Sequence, residues 1–391
     1  MQIGIQIMST KYLTKSKFKS AYTCPRKLYY LERKEYGNKN SVDEFLAALA
    51  EGGFQVGALA KAYFPDGEDL EDRSTKEAII ETEELLKRKK VVIFEAALNV
   101  GPYLVRVDIL EKLGSSINLY EVKSKSFKKG LDQFFTKRAP RKIYGDWEEY
   151  VVDIAFQTWV ARKYFPNHTI SPYLTMVNSL AVSTVNGLHQ YFRIYKEGDR
   201  TKVETKPGLN KETLGAKILV DEPVDNEVAF ILEQHSFPAT GPQSMKLPEY
   251  AAHLANSLAT ETKLEANISS KCKQCEFKIG SQLKAEGKKS GFEDCWTTEK
   301  KLTPSTLNTP LIFDIWYGPS AELLEENIIF MKDVREEFLS TTRGPRQWTQ
   351  VRKLRDNDNT AEVDEGELET VFNKIHYPYH FIDFETSMVP G

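Results

Sequence analysis

Between residues 91 and 125 the chain reads as three strands in succession, and this run restricts the fold more than any other. The stretches VVIFEAAL (91–98), YLVRVDILEK (103–112) and INLYEVKSK (117–125) read as strands, and the last two alternate in polarity and are rich in Val, Ile, Leu and Tyr. Alternation of this kind is strand periodicity, and Leu113-Gly114-Ser115-Ser116 between the second and third runs is turn-like. The two runs flanking that turn are therefore expected to be neighbours in a hairpin or meander.

Charged residues interrupt the pattern at defined places. Asp108 is followed thirteen residues later by Glu121-Val122-Lys123. In an extended strand, side chains at i and i+2 share a face, so Glu121 and Lys123 point one way and Val122 points into the core. With Asp108 facing them from the next strand, two carboxylates and an ammonium converge. A Mg²⁺ or Mn²⁺ ion takes hard oxygen ligands, polarises a phosphate and acidifies a bound water. A lysine beside that water can orient it, deprotonate it, or neutralise charge on the phosphoryl oxygens. Asp108 and Glu121 are candidate metal ligands, the Val122 carbonyl a candidate third, and Lys123 the candidate catalytic cation. The same residues on an ordinary exposed strand would simply be solvated charges or cross-strand pairs, and D…ExK alone is a common pattern.

The chain has 391 residues, 41% of them hydrophobic, and a net charge of −3, so no global basic field advertises nucleic acid. The charge is uneven, however. Residues 123–142 carry Lys123, Lys125, Lys128, Lys129, Lys137, Arg138, Arg141 and Lys142 against the single acid Asp132. Directly after the candidate catalytic strand, such a stretch suits phosphate contacts. No apolar run approaches the ~18 residues of a membrane span. The opening MQIGIQIM lacks a basic n-region and a cleavage pattern. The expected location is cytoplasmic.

Four cysteines are present: Cys24, Cys272, Cys275 and Cys295. A reducing compartment disfavours structural disulfides, and the CKQC spacing can aim two thiolates at one ion or cluster. Four cysteines with none to spare suggest a single site, provided that Cys24 folds back to join the rest. Thiolates alone do not separate Zn²⁺ from [4Fe–4S].

The opening Tyr12-Leu13-Thr14-Lys15-Ser16-Lys17-Phe18, continued by Tyr22-Thr23-Cys24-Pro25-Arg26-Lys27-Leu28-Tyr29-Tyr30, resembles the N-terminal helix of RecB-like PD-(D/E)XK nucleases that carry an iron–sulfur cluster. CRISPR-adaptation exonucleases and the AddB helicase–nuclease subunit are members of that group. The resemblance spans about residues 11–300. It is nearest to large bacterial proteins that share the phrases at Cys275–Phe277 and Ser290–Trp296, Cys-Glu-Phe and Ser-Gly-Phe-x-x-Cys-Trp. It implies a restriction-endonuclease-like α/β core, a mixed central sheet flanked by helices, with an Fe–S clasp joining the ends of the domain. It also implies Cys24, Cys272, Cys275 and Cys295 as cluster ligands, with Cys295 further from Cys275 than is usual, and DNA as partner alongside helicase or defence proteins. The implied activity is metal-dependent cleavage of DNA, exonucleolytic on ends or single strands, in repair or in CRISPR or phage defence. The rival is a degenerate nuclease fold that binds DNA or a partner. The family's Q-x₃-Y on the helix after the ExK strand is met only by Gln157, since position 161 is Ala. Its customary helical His or Glu ligand has no histidine counterpart here; Glu51 or Gln55 could substitute.

Helices are expected over 16–35, 43–63, 147–164 and, behind the capping box Ser74-x-x-Glu77, to about Lys89. Glu95 either faces the site or pairs with a basic neighbour. ISPYLTMV and HQYFRIY read as strands extending the sheet, and two helical patterns cover 223–265. No Walker-type glycine loop is present, so the chain itself is no ATPase motor. Residues 301–375 read as a mixed connector, with Asp356–Glu369 as an acidic linker or exposed loop. FIDFET near the end resembles the first motif of DnaQ-like DEDD exonucleases. Its remaining acids would have to lie beyond Gly391, so residues 376–391 are expected to be the start of a truncated second domain, with Asp383 and Glu385 inert.

Overall fold

The structure, a computed structural model, describes residues 11–198, 200–237, 244–303 and 305–382. Among these the chain opens with a two-residue strand, β1 (Leu13–Thr14), whose Thr14 hydroxyl accepts the Lys17 N–H and so caps α1 (Lys15–Thr23). One helix was expected over 16–35; instead it breaks, and α2 (Lys27–Leu31) follows. Pro25 is the reason. The residue before a proline is pushed out of the helical region, and Cys24 is extended at φ −165°, ψ 119°.

The next elements are α3 (Glu44–Ala62), β2 (Glu68–Asp69) and α4 (Thr75–Leu85). The Ser74/Glu77 capping box at the start of α4 forms reciprocally, with the Ser74 Oγ accepting the Glu77 N–H and the Glu77 carboxylate accepting the Ser74 N–H. The three opening runs become β3 (Lys90–Val100), β4 (Tyr103–Leu113) and β5 (Ser116–Phe127), an antiparallel meander. Gly114, at φ +64°, makes the second turn. A crossover through α5 (Gly145–Tyr164) brings β6 (Thr169–Asn178) parallel to β5.

HQYFRIY does not extend this sheet. It supplies β7 (Phe192–Glu197), which pairs only with β8 (Arg200–Thr205) as a separate hairpin. After α6 (Lys211–Leu214), the place beside β6 is taken by β9 (Leu219–Pro223), a run too short to show a period. The order β2-β3-β4-β5-β6-β9, with β1 added along β4, gives a mixed seven-stranded sheet flanked by helices, an α/β architecture. Two further helices, α7 (Asp225–Glu233) and α8 (Leu247–Ala259), complete this unit, which spans residues 11–34 and 40–267.

Each face of the sheet has its own core. On one, α1, α5, α7 and α8 pack through Phe18, Phe156, Phe237 and Tyr250, with Phe18 and Phe156 stacked at 4.2 Å. On the other, Val56, Leu59 and Ala60 of α3 and Phe192 of β7 meet Phe94, Ile109 and Tyr120. Most of α5 is buried, and Asp153 and Gln157 are buried with it.

Residues 35–39 and 268–382 form a second unit. It contains α9 (Ser281–Ala285), α10 (Gly291–Glu299), α11 (Ser320–Glu325), α12 (Gly344–Arg355) and α13 (Glu365–Phe372), joined by short 3-10 turns. Trp296 anchors its core, stacked on Phe292 and edge-to-face with Phe313. The acidic stretch at 356–369 leads into α13, which is exposed throughout. Asp383 and Glu385 lie outside the described residues. Among the described residues no helix is long and apolar enough to cross a membrane.

Candidate active site

The sheet parts where the motif lies. β4 and β5 pair from Ile109↔Tyr120 to Leu113↔Ser116 and no further. Beyond that point β5 continues beside β6, while the freed edge of β4 meets β1 only at Tyr103 and Leu104. Among the described residues, 105–108 thus have no strand partner on that edge. Asp108 stands at the mouth of the gap and fills a strand's role with its side chain: its Oδ2 accepts the Val122 N–H at 2.8 Å. Irregularities mark both neighbours. Glu95, opposite Asp108, drops out of the β3–β4 register at φ +55°, and the β5–β6 register shifts between Lys123 and Ser126. Such bulges re-aim side chains.

Four of the residues singled out from sequence come together here. Glu121 is 1% exposed and accepts from three donors: Lys123 Nζ at 2.5 Å, Gln157 Nε2 at 2.7 Å and Lys15 Nζ at 3.0 Å. Lys15 also donates to Asp108 Oδ1 at 2.9 Å, and so bridges the two carboxylates. Lys123 reaches the other way to Asp153 Oδ2 at 3.1 Å. The result is an alternating chain of charges, Asp108–Lys15–Glu121–Lys123–Asp153. Val122 faces the opposite layer, packs against the α3-side core and borders the cleft.

Electrostatics follow from this order. Burial works against the charge on Glu121, yet the ammoniums of Lys123 and Lys15 hold its carboxyl well below the usual carboxylate range. Asp108 has a smaller share of the cations, so burial and the neighbouring Glu121 push it up. The same two causes push Asp153 up to about 6. Both lysines are pulled down by burial and raised more strongly by the carboxylates, so each stays an ammonium at neutral pH. Glu95 does both things expected of it: it lies 3.3 Å from Arg106 and lines the cleft. Burial, with Asp108 next to it, pushes its carboxyl up to about 7.

Above the fork lies a cleft of about 720 Å³. Its floor is Glu95, Asp108, Val122, Lys123 and Ser124; α3 forms one wall, with Lys61, and the β7–β8 hairpin and the residue after it another, with Lys202 and Lys206. Neither expected substitute for the helical ligand faces this space. Gln55 is buried and donates to the Phe192 carbonyl at 2.9 Å, and Glu51 is not among the lining residues. Gly53 and Gly57 line the wall instead. Of the basic stretch 123–142, Lys123 enters the site. Lys125 lies over the Trp147 ring and donates to the Asp146 carbonyl, and Arg141 lies over Phe135.

Two residues of the cluster were not anticipated. Asp153 had a signal, four residues before Gln157 and hence on the same helical face. Lys15 had none, because its partners lie 93 and 106 residues away.

Among the described residues no three His, Cys, Asp or Glu side chains stand together as a ready-made metal site. In the acidic cluster, lysines occupy the places between the carboxylates. Cys24 caps the end of α1 in the first unit, and Cys272, Cys275 and Cys295 belong to the second. Cys272 and Cys275 sit at the turn Ser270–Gln274, and Cys295 is buried on α10.

Compared with protein-family models and with curated proteins, the chain matches none.

Proposed function

We propose that the chain is a divalent-metal-dependent phosphodiesterase acting on DNA, an exonuclease on ends or single strands of the PD-(D/E)XK kind. The observation that carries this reading is the meeting of Asp108, Glu121, Lys123 and Gln157 where two paired strands part, with Asp108 and Lys123 also lining the cleft.

The residues suit a hard divalent ion. Asp108 Oδ1 and both Glu121 oxygens converge on one cationic point, which the Lys15 ammonium occupies at 2.9–3.2 Å. The donors are carboxylate oxygens, as Mg²⁺ and Mn²⁺ require. Gln157 Oε1 is a buried acceptor with no partner among the described residues, suited to accept a hydrogen bond from a water. Asp108 and Glu121 would hold the ion, with the Val122 carbonyl as the third ligand, and Lys15 must swing aside to admit it. When bound, the metal supplies a polarised phosphate and an acidified water.

The protein's own groups do the rest. Gln157 and Lys123 fix the Glu121 carboxylate from two sides, so its orientation is set before substrate arrives. Lys123 remains charged, which suits it to neutralise the phosphoryl oxygens rather than to take a proton. Lys61, Lys202 and Lys206 line the route a phosphate backbone would follow. Metal-dependent degradation of end-labelled single and double strands tests the reading. Lys123→Ala or Asp108→Asn is expected to lower the rate by about 10³-fold while the protein stays folded. Undiminished activity in both variants refutes it, and salt-dependent DNA binding without cleavage under any divalent metal points to a binding module.

Among the described residues no three of the cysteines stand together, so for the cofactor the reading, a [4Fe–4S] cluster with structural zinc as the alternative, rests on the sequence. It is supported by residue type, by number and by the C-x₂-C turn at Cys272 and Cys275. Anaerobic purification with metal analysis separates the two: about four irons and a brown protein, against about one zinc and a colourless one.

A further inference from the structure

The second unit presents an aromatic pair to solvent. In the run Leu311-Ile312-Phe313-Asp314-Ile315-Trp316-Tyr317 the aliphatic residues and Phe313 are buried, while Trp316 is 36% and Tyr317 65% exposed. The two rings meet edge to face at 5.0 Å. Scattered exposed aromatics are ordinary surface features, but these two are held by dedicated groups. Gln347 is 2% exposed and spends its amide on this loop, Nε2 donating to the Trp316 carbonyl at 3.1 Å and the Tyr317 carbonyl at 2.8 Å. Gln350 accepts the Trp316 N–H at 3.0 Å. Tyr317 is kept at φ +48°, a conformation a bulky residue rarely adopts without such restraint.

Two guanidiniums accompany the rings. Arg346 lies 4.3 Å from the Trp316 centroid and Arg343 4.4 Å from that of Tyr317. Neither makes an ion pair among the described residues. The other cations of the stretch 341–355 are engaged: Arg352 with Glu362, Lys353 with Asp358, and Arg355 with the Lys332 and Val334 carbonyls. That stretch holds five basic residues and no acid. Cation–π attraction accounts for where the arginines lie. It does not account for a buried glutamine fixing the two carbonyls that aim the rings outward.

We propose that Trp316, Tyr317, Arg343 and Arg346 form a binding platform for single-stranded nucleic acid. Flat ring faces accept any base, and guanidiniums pair with phosphate in a fork that a lysine cannot match. The platform stands on its own observations and binds without cleaving, so it does not depend on the activity assigned to the first unit.

The test uses the full chain in EDTA, with fluorescence anisotropy on a labelled oligothymidylate and on an abasic strand of equal length, each at low and moderate salt. Trp316→Ala combined with Tyr317→Ala is expected to weaken oligothymidylate binding about 10- to 100-fold and to leave the abasic strand nearly unaffected. Phenylalanine at both positions should restore binding to within about threefold, since it keeps the stacking face. Arg343→Gln combined with Arg346→Gln should weaken both strands and lower the salt slope by about 1.4, at ~0.7 for each phosphate no longer neutralised. Unchanged oligothymidylate binding in the aromatic variant overturns the proposal. So does equal weakening on the abasic strand, or polyglutamate competing as well as the oligonucleotide, which would mark an acidic protein partner instead.

Discussion

The two ends of the β4–β5 hairpin carry similar residues and do different things. At the closed end, Glu111 accepts the Asn118 amide at 2.8 Å and the Tyr120 hydroxyl at 2.9 Å, all within one hairpin. At the open end, one oxygen of Asp108 accepts the Val122 N–H across the gap, but the other takes Lys15 of α1. Glu121 takes its partners from α1, from α5 and from Lys123 two residues along its own strand. Where strands stay paired, polar side chains satisfy one another locally and the cluster is structural. Where they part, the carboxylates draw on groups distant in the chain. The proposed place for an external cation is at that end.

The comparison can be broken by removing one carboxylate from each end. Glu121→Ala leaves Lys15 and Lys123 buried with too little negative charge, and should lower unfolding stability by about 3–5 kcal/mol. Glu111→Ala removes two local hydrogen bonds at a more accessible site and should cost only about 1–2 kcal/mol. Urea denaturation of the two variants decides it, and equal losses would show the ends to be energetically alike.

A second perturbation separates the cation from its role. Lys15→Met keeps the length of the side chain and removes its charge. In EDTA it should destabilise the protein by about 2 kcal/mol, because Asp108 and Glu121 then face each other with no cation between them, Lys123 lying between Glu121 and Asp153. Saturating Mn²⁺ should return that stability in full, since a hundredfold excess over Kd contributes about 2.7 kcal/mol. Calorimetric titration should find Mn²⁺ bound more tightly than by the unaltered chain. Identical Mn²⁺ affinity in both would mean that lysine and metal do not share a place.

The smallest effect concerns pH. Glu95 is raised in the folded state to about 7, from an ordinary value near 4.5. A carboxyl raised by folding adds stability that is complete below its unfolded pKa and lost as pH climbs through the folded one. The unaltered protein should therefore lose on the order of 1–2 kcal/mol relative to Glu95→Gln between about pH 4.5 and pH 7.5, after allowing for partial solvent access. Melting curves of the pair across that range, in EDTA, test the sign. A constant gap would show that Glu95 does not titrate there.

Much of this was legible in the chain. Strand-like runs over 91–125, the last two alternating, located the meander, and Asp108, Glu121, Lys123 and Gln157 were all visible as candidates. The opening of the strands was not legible, because it depends on a two-residue strand, β1, reaching β4 from ninety residues upstream. Lys15 was hidden for the same reason. The hairpin β7–β8 was misread as sheet because a period of two reports a pleated strand without reporting its neighbour. Gln55 satisfied the expected residue type and then spent its amide on a carbonyl elsewhere.

Lys15 is the first residue of α1, immediately behind the strand that docks on β4. Its ammonium is thus leashed to the sheet it neutralises, an electrolyte the protein carries with it. On the proposed reading an incoming ion would compete with this internal one, so its apparent affinity would be the intrinsic affinity scaled by the fraction of molecules whose lysine has withdrawn. The grip of β1 on Tyr103 and Leu104 then acts as a set-point. A mutation that loosens that short pairing, far from any ligand, would lower the divalent concentration at which the site loads.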